Sequence, residues 1–99
     1  MQMDNYNAQE IKSRIRGIII KKVLKGKARN FMDDTDLIKD RIYPDSLTIP
    51  ELSFFLEKAF GVRFSVSEVN AKTFKTVNTI AHLVEEVLNH SKSKSKFVD

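Results

Sequence analysis

The residues with the clearest chemical potential are Asp45, Ser46 and Leu47, which immediately precede an amphipathic stretch. A serine at such a position can be a helix N-cap, a catalytic nucleophile or a site of covalent attachment. A nucleophile needs a base within reach, and the two histidines, His82 and His90, lie far along the chain from a serine without a G-x-S-x-G motif. The residue types therefore argue against a serine hydrolase and leave capping and attachment open.

The stretch after Ser46 has the pattern of a second helix, beginning near residues 46–48. Thr48 and Glu51 have the spacing of a capping box, so Ser46 is not required as the cap. Pro50 is compatible only with the first turn, where its missing N–H has no partner, and Gly61 is a typical helix end. An apolar stripe indicates the buried face, namely Leu47, Leu52, Phe55, Leu56 and Phe60.

Three further helical segments surround this one. Asn7 and Glu10 resemble a capping pair, and isoleucines at helical spacing then predict a helix over about residues 8–25, ending at Lys25-Gly26. Ser65 with Glu68 predicts a third helix of one to two turns, and Thr76 opens the last helix.

Residues 26–45 show no sustained period, and a connection of this length needs apolar anchors of its own. We expect Leu37 and Ile42 to enter the core. No convincing alternating strand is present, so the prediction is a small all-α bundle of three long helices and one short one, with a long first loop. We expect one domain over residues 1–90 and a disordered Lys/Ser-rich tail over residues 91–99.

The composition narrows the class of protein further. The absence of cysteine excludes disulfides and thiolate metal sites. The longest wholly apolar stretch is Ile18–Ile20, far too short to span a bilayer, and the first residues lack the pattern of a signal peptide, so we expect a cytoplasmic protein. The net charge is +6 for residues 1–32, −5 for residues 33–57 and +3 for residues 58–99, which places Ser46 in the acidic zone of a basic protein.

The motif D-S-L-x-x-x-E-L at residues 45–52 resembles the attachment region of acyl carrier proteins. Upstream, "DDTDLIKD" is similar to the acidic segment of that family, with Leu37 as loop anchor. Downstream, "TFKTVNTIAHLVEEVL" resembles the family's threonine-capped last helix. The resemblance covers about residues 8–89 and implies a small acyl-carrier-like four-helix bundle.

This resemblance implies a carrier, not an enzyme. A phosphopantetheinyl transferase would move 4′-phosphopantetheine from coenzyme A onto the hydroxyl of Ser46, and the thiol of that arm would then carry acyl, aminoacyl or ketide groups as thioesters. The implied partners are this transferase and the acyl-loading and acyl-processing enzymes. We expect a monomer that binds no nucleic acid and does not span a membrane.

The resemblance also assigns roles around the serine, and the residue types leave an alternative for each. Asp45 would help to seat the transferase and its metal ion, or would be a turn or capping residue. Leu47 would contact partner enzymes, or would lie in the core. Glu51 and Glu57 would face basic patches on partners, or would belong to a solvated helix face, with Glu51 also in the capping box.

Three features differ from the usual pattern of the family and favour a specialised lipid or secondary-metabolite pathway, such as polyketide biosynthesis, over housekeeping fatty acid synthesis. The chain is basic, Tyr43-Pro44 stands where a glycine is common, and Pro50 lies in the first turn of the second helix.

Two groups of side chains have simpler predicted roles. The phenylalanines Phe54, Phe55, Phe60, Phe64 and Phe74 are expected in the core, and the two histidines on the surface. The resemblance implies an alternative for some of these rings, which would line a pocket that shelters the acyl chain between helices.

An alternative function comes from the first helix, "KSRIRGIIIKKVLKGKAR", which could be a basic amphipathic module for nucleic acid or anionic membrane. In that case Lys21, Lys22 and Lys25 would be its cationic contacts. The simpler interpretation is an isoleucine stripe that faces the core, backed by a solvated basic face.

Overall fold

The structure, a computed structural model, describes the backbone of residues 7–97 and the side chains of residues 7–90. Three α-helices and one short 3-10 turn form an all-α domain with no strand in this range. The elements are α1 (Ala8–Ile18) with a π-helical turn (Ile19–Val23), α2 (Thr48–Phe60), the 3-10 turn (Val66–Glu68) and α3 (Val77–Phe97). The all-α class and the long first loop are confirmed, but the predicted third helix is a single 3-10 turn. The tail predicted for residues 91–99 overlaps the end of α3, which extends to Phe97, and its side chains lie outside the described ones.

The first helix begins as its sequence predicts. The Asn7 side chain accepts a hydrogen bond from the Glu10 N–H at 2.8 Å, and the Glu10 carboxylate accepts one from the Asn7 N–H at 3.2 Å. The isoleucine stripe then faces the interior, since Ile11, Ile15 and Ile19 are fully buried. Burial of such a side chain stabilises the fold by about 1.5–3 kcal/mol.

The end of this helix differs from a regular α-helix. The Leu24 N–H donates to the carbonyl of Ile19 at 2.9 Å, a five-residue span that defines a π-helical turn. Lys25 and Gly26 then have φ values of 52° and 83°, which stop the helix where the sequence predicted. The wider turn brings the end of the first helix against α2.

Two apolar side chains anchor the long loop, as predicted. Leu37 and Ile42 are buried, and the Leu37 N–H donates to the Lys75 carbonyl at 2.8 Å, which ties the loop to the segment before α3. The carboxylate of Asp36 accepts the N–H groups of Lys39 and Ile38. The hydrogen bond from Lys39 is the main reason why the pKa of Asp36 lies below its usual value.

Tyr43 fixes the last part of the loop, directly before the candidate site. Its hydroxyl donates to the Phe74 carbonyl at 2.7 Å, and its ring is buried. Burial raises the pKa of this phenol far above its usual value, so the hydroxyl remains a donor. The turn at residues 44–47 is therefore attached at one end to the core and at the other to α2.

The remaining elements close the core around these anchors. Thr76 and Thr79 exchange hydrogen bonds at the start of α3, each N–H reaching the other's hydroxyl at 3.0 Å, which confirms Thr76 as the opening of the last helix. Helix α3 packs along α1. The largest fully buried side chains from these elements are Leu52, Leu56, Phe74, Val77, Ile80 and Val84.

Among the described residues, no helix has the length and apolar character needed to cross a bilayer.

Candidate functional site

The Asp45 side chain holds the turn that leads into helix α2. One of its carboxylate oxygens, Oδ1, accepts the Leu47 N–H at 3.0 Å and lies 3.3 Å from the Thr48 hydroxyl, which donates to it. The Thr48 N–H donates to the Asp45 carbonyl at 3.2 Å. The side chain of Asp45 thus fixes the residues on either side of the helix start, and its main-chain carbonyl accepts the first helical N–H. A carboxylate at this position also interacts favourably with the positive end of the helix dipole.

Ser46, in contrast, is exposed, and its side chain makes no hydrogen bond within the described part of the chain. The alternative role as an N-cap is therefore wrong for Ser46. The capping box predicted for Thr48 and Glu51 is also wrong, because α2 begins at Thr48 itself and the Thr48 hydroxyl is turned back to Asp45. The hydroxyl of Ser46 is left facing solvent at the N-terminal end of a 13-residue helix.

The buried face of α2 agrees with the predicted stripe at Leu52, Leu56 and Phe60 and differs from it at the other positions. Thr48 and Ser53 are buried, and the Ser53 hydroxyl donates to the Pro50 carbonyl at 2.8 Å, which satisfies it without another element. Leu47 is 65% exposed and Phe54 is 54% exposed, so the prediction of a core position is wrong for both. Small polar residues occupy the inner positions because their hydroxyls bond locally, and two large apolar residues are left outside.

The rest of the predicted aromatic core is divided. Phe60 and Phe74 are buried as expected, whereas Phe55 and Phe64 are only half-buried. The two rings of Phe64 and Phe74 pack edge to face at 6.2 Å between centroids. The aromatic residues therefore support the core mainly from the ends of α2 and the segment before α3.

The two glutamates assigned to docking have different surroundings. Glu51 is exposed, one turn beyond Leu47 on the same side of α2. Glu57 is half-buried, and its Oε2 accepts the Phe64 N–H at 2.8 Å, which ties the segment after α2 to that helix. Because six residues separate them, the two carboxylates lie on different flanks of α2 and do not form one face.

The acidic loop before the site is partly neutralised. Arg16 lies 3.4 Å from an Asp33 carboxylate oxygen and also covers the Phe31 ring, 4.5 Å from its centroid. Asp36 lies 4.0 Å from the ammonium of Lys75. These contacts link the loop to α1 and to the segment before α3, so they hold the loop that leads to the turn at residues 44–47.

A second feature, missed in the sequence, lies beside the start of α2. An open cleft of about 670 Å³ separates the end of the first helix from α2. The pattern of the sequence pointed to Lys21, Lys22 and Lys25 as a basic face, but not to their meeting with Phe54, because that ring was expected in the core. The cleft is lined by Lys21, Lys22, Lys25, Pro50, Glu51, Phe54 and Phe55.

The described residues contain no cluster of three histidine, cysteine or acidic side chains that could hold a metal ion. Both histidines are exposed, as predicted, and His82 lies 3.2 Å from a Glu86 carboxylate oxygen on the outer side of α3. Neither histidine is placed by the structure beside Ser46 as a base.

No model of a known protein family and no curated protein matches this chain.

Proposed function

We propose that this protein is a freestanding acyl carrier protein with an acyl-carrier-like four-helix fold, the 3-10 turn taking the place of the short helix. Ser46 is the attachment site for 4′-phosphopantetheine, and the protein is not itself an enzyme. It serves a specialised lipid or polyketide pathway by presenting acyl, aminoacyl or ketide groups to other proteins.

The observation that carries this proposal is the difference in hydrogen bonding between Asp45 and Ser46. Asp45 accepts the hydrogen bonds at the start of α2, and the exposed Ser46 hydroxyl makes none within the described chain. A serine needed for stability would be bonded, and a serine needed as a nucleophile would have a base beside it. An accessible hydroxyl without either partner is what an external transferase requires.

The surroundings of Ser46 fit a phosphodiester. The start of α2 provides the positive end of a helix dipole, where a phosphate group is stabilised. The second carboxylate oxygen of Asp45, Oδ2, makes no hydrogen bond to the described residues and can meet the metal ion of a transferase. When bound, the arm supplies a thiol on which acyl groups are held as thioesters.

The neighbouring residues suit contact with partner enzymes. Leu47 is the residue directly after the attachment site, and its exposed side chain gives an apolar contact that does not disturb the core. Glu51 adds a charge one turn further along the same side. We assign Glu57 a weaker part in docking, because its carboxylate is already bonded to the Phe64 N–H. Such docking is weak, and the tether raises the effective concentration of the cargo.

The test is conversion of the purified protein by a broad-specificity phosphopantetheinyl transferase with coenzyme A and magnesium. We expect the intact mass to rise by one pantetheine phosphate arm. Ser46→Ala should abolish the increase completely.

Ser65 provides a matched control, since it is another exposed serine directly before a helical turn. Its N–H and that turn are already held by the capping box with Glu68. Ser65→Ala should therefore be modified like the wild type. Modification that persists in Ser46→Ala, or that is lost in Ser65→Ala, would overturn the assignment.

A further inference from the structure

The cleft beside α2 combines cations and aromatic rings on facing walls. One wall is the π-helical turn with Lys21 and Lys22, continued by Lys25, and the other is the first half of α2. We infer that this cleft binds a single-chain amphiphile with an anionic head, an alkyl carboxylate or alkyl phosphate. The inference does not involve Ser46, so it is independent of the proposed carrier function.

The lysine wall is a site for an anion. None of the three lysines forms a salt bridge with a carboxylate in the described part of the chain, and Glu51 is the one acid in the lining. Three cations against one carboxylate leave a local charge of +2. Pro50 and Glu51 also belong to the first turn of α2, whose dipole adds to the positive potential.

The floor of the cleft is a site for an apolar chain. Phe54 and Phe55 meet edge to face, with ring centroids 5.8 Å apart, and Phe54 is 54% exposed. The Lys22 ammonium lies 5.0 Å from the centroid of Phe55, and the Lys58 ammonium lies 5.3 Å from that of Phe54. Cations therefore stand directly above apolar surface, as an amphiphile with a charged head requires.

The π-helical turn forms part of one wall of the cleft. A regular α-helix would wind more tightly at residues 19–23, and π turns occur frequently at functional sites. Here the widened turn packs against α2 and contributes Lys21 and Lys22 to the lining. A volume of about 670 Å³ is within the range of pockets that accept small organic ligands.

The charge distribution favours a small amphiphile over nucleic acid. A nucleic acid needs a continuous basic track along its phosphates. Residues 33–57 carry a net charge of −5, which repels a polyanion that extends beyond the cleft. A single anionic head with an alkyl chain uses the three lysines and the aromatic floor and meets one acidic side chain of this zone, Glu51.

The first experiment compares the contributions of the anionic head and of the alkyl chain to binding. The protein without the pantetheine arm is titrated with three ligands, and its amide NMR signals are followed. The ligands are octyl phosphate below its critical micelle concentration, 1-octanol and inorganic phosphate. We expect saturable binding of octyl phosphate, about tenfold or more tighter than that of either partial ligand, since both parts contribute. The shifted signals should belong to Lys21, Lys22, Lys25, Phe54 and Phe55.

Variants then test the named side chains. The triple substitution Lys21→Gln, Lys22→Gln and Lys25→Gln should weaken octyl phosphate about tenfold or more and leave 1-octanol unchanged. A control with the same change in charge replaces three exposed lysines outside the cleft by glutamine, and should bind like the wild type. The control lysines are Lys27, Lys39 and Lys72.

A second variant keeps the test valid if the triple variant is poorly folded. Phe54→Ala alters an exposed side chain, so circular dichroism should be unchanged, while octyl phosphate binding falls severalfold and phosphate binding does not. Equal binding of octyl phosphate in all variants would overturn the inference. So would binding of inorganic phosphate as tight as that of octyl phosphate.

Vesicles distinguish the source of the amphiphile. If the monomeric probe binds and vesicles with anionic phosphatidylglycerol do not compete for the protein, the ligand is a free amphiphile. If both bind and both need the three lysines, the ligand is a lipid at a bilayer surface. If vesicles alone bind, the cleft has no amphiphile site and the inference is wrong.

Discussion

Asp45 and Ser46 are adjacent, yet only the aspartate bonds to the start of helix α2. At the scale of single residues, this difference predicts unequal effects of two substitutions on the free energy of unfolding. Asp45→Ala should lower the free energy of unfolding by about 1 kcal/mol, because the acceptor for Leu47 N–H and the Thr48 hydroxyl is lost. Ser46→Ala should change it by no more than about 0.5 kcal/mol, since an exposed hydroxyl without a partner is removed.

Urea unfolding followed by circular dichroism measures both values. Asp45→Asn is the matched control, because asparagine keeps the acceptor while it removes the charge, and should retain most of the stability. A loss of about 1 kcal/mol in Ser46→Ala, with none in Asp45→Ala, would make Ser46 the cap and contradict the structure.

Tyr43 gives a second prediction at this scale. In Tyr43→Phe the Phe74 carbonyl loses its donor in a buried environment, so the free energy of unfolding should fall by about 1 kcal/mol at neutral pH. Burial raises the pKa of the phenol, so the folded protein favours the neutral form. The stability that the Tyr43 hydroxyl contributes is therefore fully present below pH 10.0 and declines as the pH rises above this value.

Urea unfolding of both proteins at neutral pH and above pH 10.0 checks this sign. The difference in the free energy of unfolding between wild type and Tyr43→Phe should shrink at the higher pH. Only the wild type contains a phenol that ionises readily in the unfolded chain and is held neutral in the folded one. A difference that is constant or grows with pH would contradict the buried, donating hydroxyl.

At the scale of elements, two glycines predict opposite outcomes of the same substitution. Gly61 ends α2 with φ of 67°, a left-handed conformation that costs any residue with a Cβ, so Gly61→Ala should destabilise the protein by about 1 kcal/mol. Gly17 lies inside α1 with open space around its Cα, so Gly17→Ala should stabilise by up to about 1 kcal/mol. Thermal unfolding should show opposite shifts in Tm.

A rise in Tm for Gly61→Ala would mean that α2 does not end in a left-handed residue. A fall in Tm for Gly17→Ala would mean that a neighbour occupies the space beside α1. The two variants differ by the same single methyl group, so each is the control for the other.

The start of α1, the end of α2 and the start of α3 could be predicted because local chemistry decides them. Asn7 with Glu10, Thr76 and Gly61 each bond or turn the backbone within a few residues, and each was placed correctly. The loop anchors Leu37 and Ile42 were predictable for a different reason. Large apolar side chains in a long polar segment are most stable when they are buried in the core.

The orientation of α2 and the π-helical turn could not be predicted in this way. Both depend on how the end of the first helix packs on α2, which no local pattern contains. The stripe of large apolar residues in α2 is broader than the face that the core can cover. The hydroxyls of Thr48 and Ser53 form local hydrogen bonds, so these two residues can be buried while Leu47 and Phe54 face outward. The exposed hydroxyl at Ser46 could be predicted only as an alternative to a cap.

At the scale of the whole molecule, charge and exposure divide the surface into two functional regions. The turn at residues 44–47, which carries the proposed attachment site, lies in the acidic part of the chain, residues 33–57, and the cleft has its basic wall on the first helix, within residues 1–32. Both regions border the first turn of α2, so that helix supports two separate proposed sites: a covalent one at Ser46 and a non-covalent one at Phe54.

The most direct measurement of the central claim is the mass of the protein purified from the cells that produce it, with the modified residue located by tandem mass spectrometry. The account predicts a population that carries one phosphodiester-linked pantetheine arm, with or without an acyl load, on the oxygen of Ser46. A chain recovered entirely unmodified, or one whose arm is attached to another serine, would contradict it.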